Sequence, residues 1–285
     1  MAKRSSSSHW NEDKLDRYLK EGRGQGEGKE YKPWLTVQDF PSMGRASRIF
    51  GWRTHRIHHF FTQSESRYFY LLEWEDNVRD VREHYPLLNY EDVVKEKDDL
   101  NFDYFKDKNS GEYYVLYTTF LITVKGLDGK SKYIARSLKA SSELERKITL
   151  ERLEIERRYW ESQNIDWGII TEKDIPVIKA KNIEWLHSSR DEVTNRGITE
   201  DDLVFLSDDY LNMVQKDSGS IRIFNKKFED EQNLSPGTGL FIFKYLLATK
   251  RIEVDMSKEI NINDLTSDIK ISTRKIDKEG DVVCL

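Results

Sequence analysis

The pattern of apolar and polar positions after residue 60 predicts an α-helix followed by three strands. Thr62, with Glu65 three residues later, matches a capping box, so a helix is predicted to begin there. The segment VRDVREHYP that follows is typical of a strand. Asp128-Gly129 between two β-prone runs then indicates a hairpin over about residues 113–139.

A second helix and a last strand complete this predicted unit. Ser142 begins another capping box, and apolar residues recur at helical spacing as far as about Gln163. The run IDWGIIT, residues 165–171, is typical of a buried strand. The order helix, three strands, helix, strand predicts a compact α/β unit whose mixed sheet is covered by helices.

The pattern changes after Thr171, where helices dominate. Four helices are predicted to begin near residues 174, 199, 220 and 235, and RIEVDM then alternates as a short strand. Several helices with a small β-ribbon are typical of a winged-helix domain. The chain is therefore predicted to have three parts, residues 1–60, 61–171 and 172–285, the last of them mostly helical and winged-helix-like.

Charge is distributed unevenly along the 285 residues, whose net charge is −5. Residues 1–60 contain 12 Lys and Arg against 7 Asp and Glu, whereas residues 171–285 contain 17 against 22. The basic end is therefore predicted to face phosphate, and the acidic end to face a protein partner.

The segment RASRIFGWRTHRIHHFF mixes basic and aromatic residues, which suits a surface that follows a phosphate backbone. This predicts that Arg45, Arg48, Arg53 and Arg56 bind DNA. The alternative is an ordinary β-hairpin with a solvated face.

Composition excludes several classes of protein. The single cysteine, Cys284, allows neither a disulfide framework nor a zinc site built from cysteines. No apolar run approaches the roughly 20 residues of a membrane span, and the N-terminus, MAKRSSSSHW, lacks the apolar stretch of a signal peptide. We therefore expect a cytoplasmic protein without a membrane partner.

A few residues in the α/β unit have the spacing of a metal-dependent nuclease site. Such a site needs acids that hold a hard divalent cation, and a further cation near the attacked phosphate. Ser137 and Lys139 are two residues apart on a predicted strand and so point to the same side. Glu65 lies on the preceding helix. The alternative is that Glu65 only completes the Thr62 capping box and that Lys139 is an ordinary lysine at a strand end.

Several longer segments carry a resemblance to a known family. They are KEGRGQGEGKEYKPWLTVQD, GRASRI, LEWEDNVRDVREHYPLL, LEIERRYW and KNIEWL, which span most of residues 20–186. The chain resembles the PD-(D/E)xK restriction-enzyme-like nucleases, and most closely the TnsA endonuclease subunits of heteromeric bacterial transposases.

The resemblance implies a fold, an activity and a set of partners. The fold is a restriction-endonuclease-like mixed-sheet domain, here expected in residues 61–171, with a DNA-facing segment within residues 1–60. The activity is cleavage of the 5′ strand at transposon ends with Mg²⁺ or Mn²⁺. The partners are transposon-end double-stranded DNA, a DDE transposase subunit, and an AAA+ ATPase regulator that contacts the C-terminal part; in complex the protein would lie at the bacterial nucleoid.

Carried over by position, the resemblance assigns four site residues. Glu65 matches the helix acid, a metal ligand and catalytic residue, and Lys139 matches the catalytic lysine. Ser137 stands at a metal-site position where the family has Gln or Glu. Thr119 stands where the central strand of the family carries its metal-bridging aspartate, and its neutral hydroxyl is a weak ligand.

The missing aspartate leaves two functions open. The first is an endonuclease subunit with a weakened site, and the second is a catalytically inactive subunit that binds DNA and assembles the transposition complex. A third hypothesis, a winged-helix transcriptional regulator, is disfavoured by the acidic C-terminal part. The acids that could compensate for Thr119 are, by their place in the sequence, Glu73, Glu75, Glu112 and Glu156.

Overall fold

A computed structural model describes residues 10–39, 45–126, 128–190, 197–272, 275–276 and 282–283. The chain divides into two compact units, Met1–Ile175 and Pro176–Leu285. The predicted boundary after residue 171 thus lies four residues before the division. Residues 1–60 and 61–171, which the sequence analysis separates, belong to the same unit.

The first unit contains a four-stranded mixed sheet with helices. Strands β3 (Val78–Leu87), β4 (Leu116–Lys125) and β5 (Ser131–Leu138) are antiparallel in that order, and β6 (Asp166–Ile170) joins β5 in parallel. The predicted α/β class, with a mixed sheet and several helices, is confirmed and is consistent with a restriction-endonuclease-like fold. The elements are α1 (Glu12–Lys20), β1 (Ser47–Phe50), β2 (Ile57–Phe60), α2 (Gln63–Trp74), β3 (Val78–Leu87), α3 (Tyr90–Val93), β4 (Leu116–Lys125), β5 (Ser131–Leu138), α4 (Lys147–Glu161) and β6 (Asp166–Ile170).

Local sequence signals explain several element ends. The Thr62 hydroxyl accepts a hydrogen bond from the backbone N–H of Glu65 and so caps α2. A 3₁₀ turn, Ser141–Glu145, precedes α4, which begins at Lys147 rather than at the predicted Ser142. Gly129 of the predicted Asp128-Gly129 turn joins β4 to β5 with a φ of +77°, and Leu127, which precedes this pair, lies outside the described residues.

The core of the first unit lies between the sheet and α4. Leu121 and Ala135 of the sheet pack against Ile155, Tyr159 and Trp160 of the helix, and all five are buried. Burial of each large apolar side chain contributes about 1.5–3 kcal/mol. The other face of the sheet carries Phe120, whose ring lies near Phe60 and Tyr68.

The second unit is mostly helical. Its elements are α5 (Val177–His187), α6 (Glu200–Val214), α7 (Ile221–Glu231), α8 (Thr238–Ala248), β7 (Ile252–Glu253), β8 (Lys270–Ile271), β9 (Lys275–Ile276) and β10 (Val282–Val283). Strands β7 and β8 pair antiparallel after α8, and α8 is almost wholly buried. Four helices and a small ribbon agree with the predicted element pattern, and the winged-helix assignment itself stays a prediction. Within the described ranges, no helix has the length and apolar character of a membrane span.

Candidate active-site corner

At one point in the sheet, the regular alternation of side chains between the two faces is interrupted in the neighbouring strands β3 and β4. Glu83 of β3 bonds to Arg56, whereas Tyr85, two residues on, packs against Trp160 of α4. On a regular strand these two side chains would share a face. Between them, His84 has a φ of +49°, a left-handed backbone that is rare outside glycine.

The alternation of side chains also breaks at the matching point of strand β4. Phe120 faces α2, while the Thr118 hydroxyl, two residues earlier, donates to Glu156 of α4 (3.1 Å). The pairing of β4 with β5 ends at Phe120 opposite Arg136. Just beyond that pair, Thr119 Oγ1 accepts a hydrogen bond from the backbone N–H of Leu138 (3.0 Å). The Thr119 side chain thus replaces a missing rung of the β4–β5 ladder.

Around this break lies the predicted site, which we call the corner. It is formed by the first turn of α2, the middle of β3 and β4, the end of β5 and the inner side of α4. Its side chains are Glu65, His84, Tyr117, Thr119, Lys139, Arg152 and Glu156.

Glu65 is mostly buried at the first turn of α2. Its Oε2 atom accepts a hydrogen bond from the backbone N–H of Phe61 (2.7 Å) and lies 3.7 Å from Nε2 of His84. The Glu65 carboxylate thus supports the start of the helix through Phe61 rather than through Thr62, as the predicted capping box would require, and it also faces His84 in the corner.

Lys139 follows the last residue of β5, as predicted. Burial, and then the positive charge of Arg152, lower the pKa of its ammonium group, while Glu156, Glu143 and Glu65 raise it. The charge of Glu65 thus acts on Lys139, although it is the weakest of these influences.

Arg152 and Glu156, one turn apart on α4, add a second charge pair, in which Glu156 is one of the acids proposed to compensate for Thr119 and Arg152 is a residue that the sequence did not single out. Arg152 Nε donates to Glu156 (3.1 Å), and its Nη2 donates to the carbonyl of Tyr117 (2.7 Å). The guanidinium lies 4.6 Å from the centre of the Tyr117 ring. Burial raises the pKa of the Tyr117 phenol, and the charge of Glu65 adds to that shift while Arg152 opposes it.

Ser137 is held on the α4 side of the sheet. Its hydroxyl donates to Glu156 and accepts from the indole N–H of Trp167 (3.1 Å). Glu156 is fully buried and is further bonded to Thr118 and Arg152. The hydroxyl predicted as a metal ligand is thus already committed to this buried network.

The corner does not fit the Mg²⁺ ion that the family resemblance implies. Mg²⁺ requires near-octahedral oxygen coordination, but Glu65 is the only carboxylate of the corner that is not held by an arginine. Across the described ranges, no group of three or more His, Cys, Asp or Glu side chains is arranged to hold a metal ion. The other acids proposed as substitutes lie elsewhere, since Glu73 bonds to the backbone of Trp52 and Glu112 is exposed.

The four arginines predicted to bind DNA have different surroundings. Arg45 and Arg48 are exposed, and Arg45 donates to the side chain of Gln63 next to the corner (3.0 Å). Arg53 donates to the carbonyl of Glu75 (2.9 Å). Arg56 is buried, and Glu83 and the carbonyl of Val81 hold its guanidinium. Arg56 therefore does not belong to an exposed basic surface, because its guanidinium is buried and paired with the Glu83 carboxylate.

The β1–β2 hairpin that carries these arginines has two distinct faces. Ile49, His58 and Phe60 point inward and are buried. The outer face presents Arg48, Phe50, Ile57 and His59, and the register places Phe50 opposite Ile57 and Arg48 opposite His59. Phe50 and Ile57 are 43% and 52% exposed. Burial lowers the pKa of the His59 imidazole below its ordinary value.

Comparison with known proteins identifies the family of the chain. Residues 75–172 match the family model described as the TnsA-like endonuclease N terminal, and residues 174–256 match the TnsA endonuclease C terminal. The two matches meet beside the division between the units, and they identify an endonuclease-type protein of two parts. The Escherichia coli protein "Transposon Tn7 transposition protein TnsA" is 37% identical over 265 residues, which is 92% of each chain. The chain belongs to the TnsA family.

Proposed function

We propose that the chain is the endonuclease-type subunit of a heteromeric transposase, acting at transposon-end DNA beside a DDE transposase subunit. The observation that supports this proposal is the corner of a TnsA-family chain, where the charge of Glu65 on α2 acts on the buried Lys139 at the end of β5. Lys139 would lie at the scissile phosphate of the 5′ strand, where its charge stabilises the anionic group.

The cleaving activity of this subunit is proposed to be weak. Cleavage by the family depends on Mg²⁺ or Mn²⁺. At the position of the metal-bridging aspartate, however, this chain has Thr119, whose neutral hydroxyl already accepts a hydrogen bond from the backbone N–H of Leu138. A second candidate function is a non-cleaving subunit that binds DNA and holds the complex together. The commitment of Glu156 to Arg152 and Thr118 favours this candidate. Nicking of transposon-end DNA with Mg²⁺ or Mn²⁺, by wild-type protein with the partner transposase, separates the two.

DNA is proposed to lie along the outer face of the β1–β2 hairpin. Residues 40–64 contain no Asp or Glu, although the whole chain contains 51. Ser47 of this hairpin bonds to Ser66 of α2 (2.6 Å), the neighbour of Glu65 in sequence. A duplex that reaches the corner would therefore pass the exposed Arg45 and Arg48.

Replacing Arg45 and Arg48 together by alanine is expected to weaken binding to any duplex. Each lost phosphate contact should also reduce the slope of log affinity against log salt by about one. The measurement is fluorescence anisotropy of a labelled duplex between low and moderate salt. Arg157→Ala, which removes a partly exposed arginine paired with Glu154 and Glu161 on α4, is the control. Equal affinity and slope in the double variant would rule out this surface.

The second unit is proposed to bind the AAA+ regulator rather than DNA. It has its own apolar core, and α6 exposes Val204 and Phe205, which are 60% and 61% accessible. Both lie on a helix whose first turn carries Glu200, Asp201 and Asp202. An apolar patch beside acidic residues suits a protein partner, because DNA would be repelled.

A fragment of residues 176–285 is expected to fold, to leave duplex DNA unshifted at moderate salt, and to bind the cognate ATPase. Circular dichroism, a gel-shift assay and size-exclusion chromatography with the ATPase measure the three properties. Phe205→Ser in the fragment should weaken ATPase binding about tenfold or more, as loss of a buried aromatic anchor does. Ile178→Ser, at another exposed apolar position (47%), is the control. Tight DNA binding by the fragment would contradict the assignment.

A further inference from the structure

His84 is the most unusual side chain in the corner. It is fully buried, and it has a φ of +49° inside strand β3. Such a backbone is strained in a residue other than glycine, and it persists only where the surroundings impose it. The ring is stacked on Phe61 at 4.3 Å between centroids and meets Tyr117 edge-on at 5.4 Å. The imidazole is thus fixed in orientation on two sides.

One hydrogen bond determines the tautomer of this imidazole. Nδ1 of His84 lies 3.0 Å from the carbonyl oxygen of Leu35. A carbonyl can only accept a hydrogen bond, so Nδ1 carries the proton and Nε2 of the neutral ring has a free lone pair. Within the described part of the chain, this buried Nε2 atom has no hydrogen-bond partner.

The Nε2 atom points towards an acid rather than a donor. Its distance to Oε2 of Glu65 is 3.7 Å, too long for a hydrogen bond. In the neutral ring, a lone pair and a carboxylate oxygen that face each other at this distance repel unless a cation lies between them, whereas a proton on Nε2 would make the contact an ion pair. His58 shows the contrast, because both its nitrogens are engaged, by Glu83 and by Thr54.

We propose that Nε2 of His84 and the carboxylate of Glu65 bind one transition-metal ion of the Zn²⁺ and Co²⁺ class. Zn²⁺ bonds to His nitrogen and carboxylate oxygen are about 2.0–2.2 Å long, so two such ligands of one ion lie roughly 3–4 Å apart. Metal-binding histidines commonly donate their other N–H to a backbone carbonyl, as His84 donates to Leu35. Imidazole nitrogen favours these ions over Mg²⁺. The remaining ligands would be water or phosphate oxygens.

This inference deepens the proposed function, because it replaces the missing strand acid of the corner by a nitrogen ligand from the neighbouring strand. It is tested without DNA or cleavage. The full chain, freed of metal with EDTA, is titrated with Co²⁺ and followed by its visible absorption, and Zn²⁺ and Mg²⁺ are titrated by calorimetry. We expect one Co²⁺ or Zn²⁺ ion per chain and no Mg²⁺ binding at the same concentrations.

His84→Asn is expected to reduce Co²⁺ affinity by at least the roughly 10–100-fold that loss of a supporting residue costs a metal site. Asparagine tolerates a left-handed backbone, so the strand can keep its conformation. His84→Gly, which removes the backbone strain, and Glu65→Gln should show the same loss. His55→Asn is the control for surface binding, because His55 is exposed in the hairpin turn.

Two results would overturn the proposal. One is equal Co²⁺ affinity in wild type and in both His84 variants. The other is the absence of any Co²⁺ binding, with ¹⁵N spectra that show a proton on Nε2 of His84. Duplex binding measured in EDTA is independent of the metal, so failure of the metal site and failure of the DNA-binding function give different results.

Discussion

Glu83→Gln is expected to lower the free energy of unfolding of the first unit by about 3–5 kcal/mol, the usual cost of removing one partner of a buried ion pair. The Glu83 carboxylate is fully buried and accepts two hydrogen bonds from Arg56, at 2.8 and 2.5 Å. It also accepts from the ring of His58 (2.8 Å) and from the backbone N–H of His59 (3.2 Å). Glutamine keeps the shape but leaves the Arg56 charge uncompensated.

The measurement is urea unfolding followed by tryptophan fluorescence. Six of the seven tryptophans lie before residue 176, so the signal reports mainly on the first unit. Asp99→Asn is the matched control, because Asp99 forms an exposed ion pair with Arg158, and such pairs contribute about 0–1 kcal/mol. A loss as small in Glu83→Gln as in Asp99→Asn would show that the buried network does not stabilise the fold.

The same network makes stability depend on acid pH. Burial opposes ionisation of Glu83, but His58 and Arg56 more than offset it and hold the pKa of the carboxyl well below its usual range. The stabilisation is therefore complete above the unfolded-state pKa of about 4.3, and it is lost as the pH falls towards the folded-state pKa. Below about pH 4 the unfolding free energy of wild type should fall more steeply than that of Glu83→Gln.

Local signals predicted most of the elements of this chain. The capping residue Thr62 and the Asp128-Gly129 turn act over a few residues, so the sequence alone identifies the start of α2 and the β4–β5 hairpin. The periodicity of α4 also depends only on neighbouring positions. The 3₁₀ turn before α4 was missed because Ser141–Glu145 carries helix-start residues that satisfy a shorter turn equally well.

Charge alone could not assign the arginines. Arg56 has the same local sequence character as Arg48, but its partner Glu83 lies 27 residues away on another strand. Strand alternation was a better guide within the hairpin, where it separates the inner His58 from the outer Ile57. That alternation could have excluded Arg56 only if the limits of β2 had been known, because Arg56 lies one residue before the strand.

The corner was only partly predictable because two strands break their alternation there. A constant period of two would place Thr118 beside Phe120, whereas Thr118 points to Glu156 on the other side. His84 was not singled out, since VREHYP gives no sign of a left-handed residue within a strand. The left-handed residue lies where the side chains of the strand change from one face of the sheet to the other. That change of face can be recognised only from the tertiary contacts of the residues on either side, Glu83 and Tyr85.

Thr119→Asp is expected to raise divalent-metal affinity and to switch on, or greatly accelerate, nicking of transposon-end DNA in the presence of the partner transposase. Thr119 Oγ1 accepts the N–H of Leu138, and an aspartate oxygen can accept the same bond, so the backbone can keep its course. The second carboxylate oxygen would then join Glu65 in the corner. Two clustered carboxylates supply the oxygen ligands that Mg²⁺ and Mn²⁺ require.

The matched control is Thr119→Asn, which has the same shape and can accept the same hydrogen bond but adds no charge. In the Thr119→Asp background, Glu65→Gln should abolish the gain because it removes the other carboxylate, and Lys139→Ala should abolish it because it removes the cation at the phosphate. Each variant is assayed for Mn²⁺ binding and for nicking with Mg²⁺ and Mn²⁺. Brisk cutting by wild type that Thr119→Asp leaves unchanged would place the active site elsewhere than in this corner. A gain in Thr119→Asn equal to that in Thr119→Asp would show that the charge of the carboxylate is not the cause.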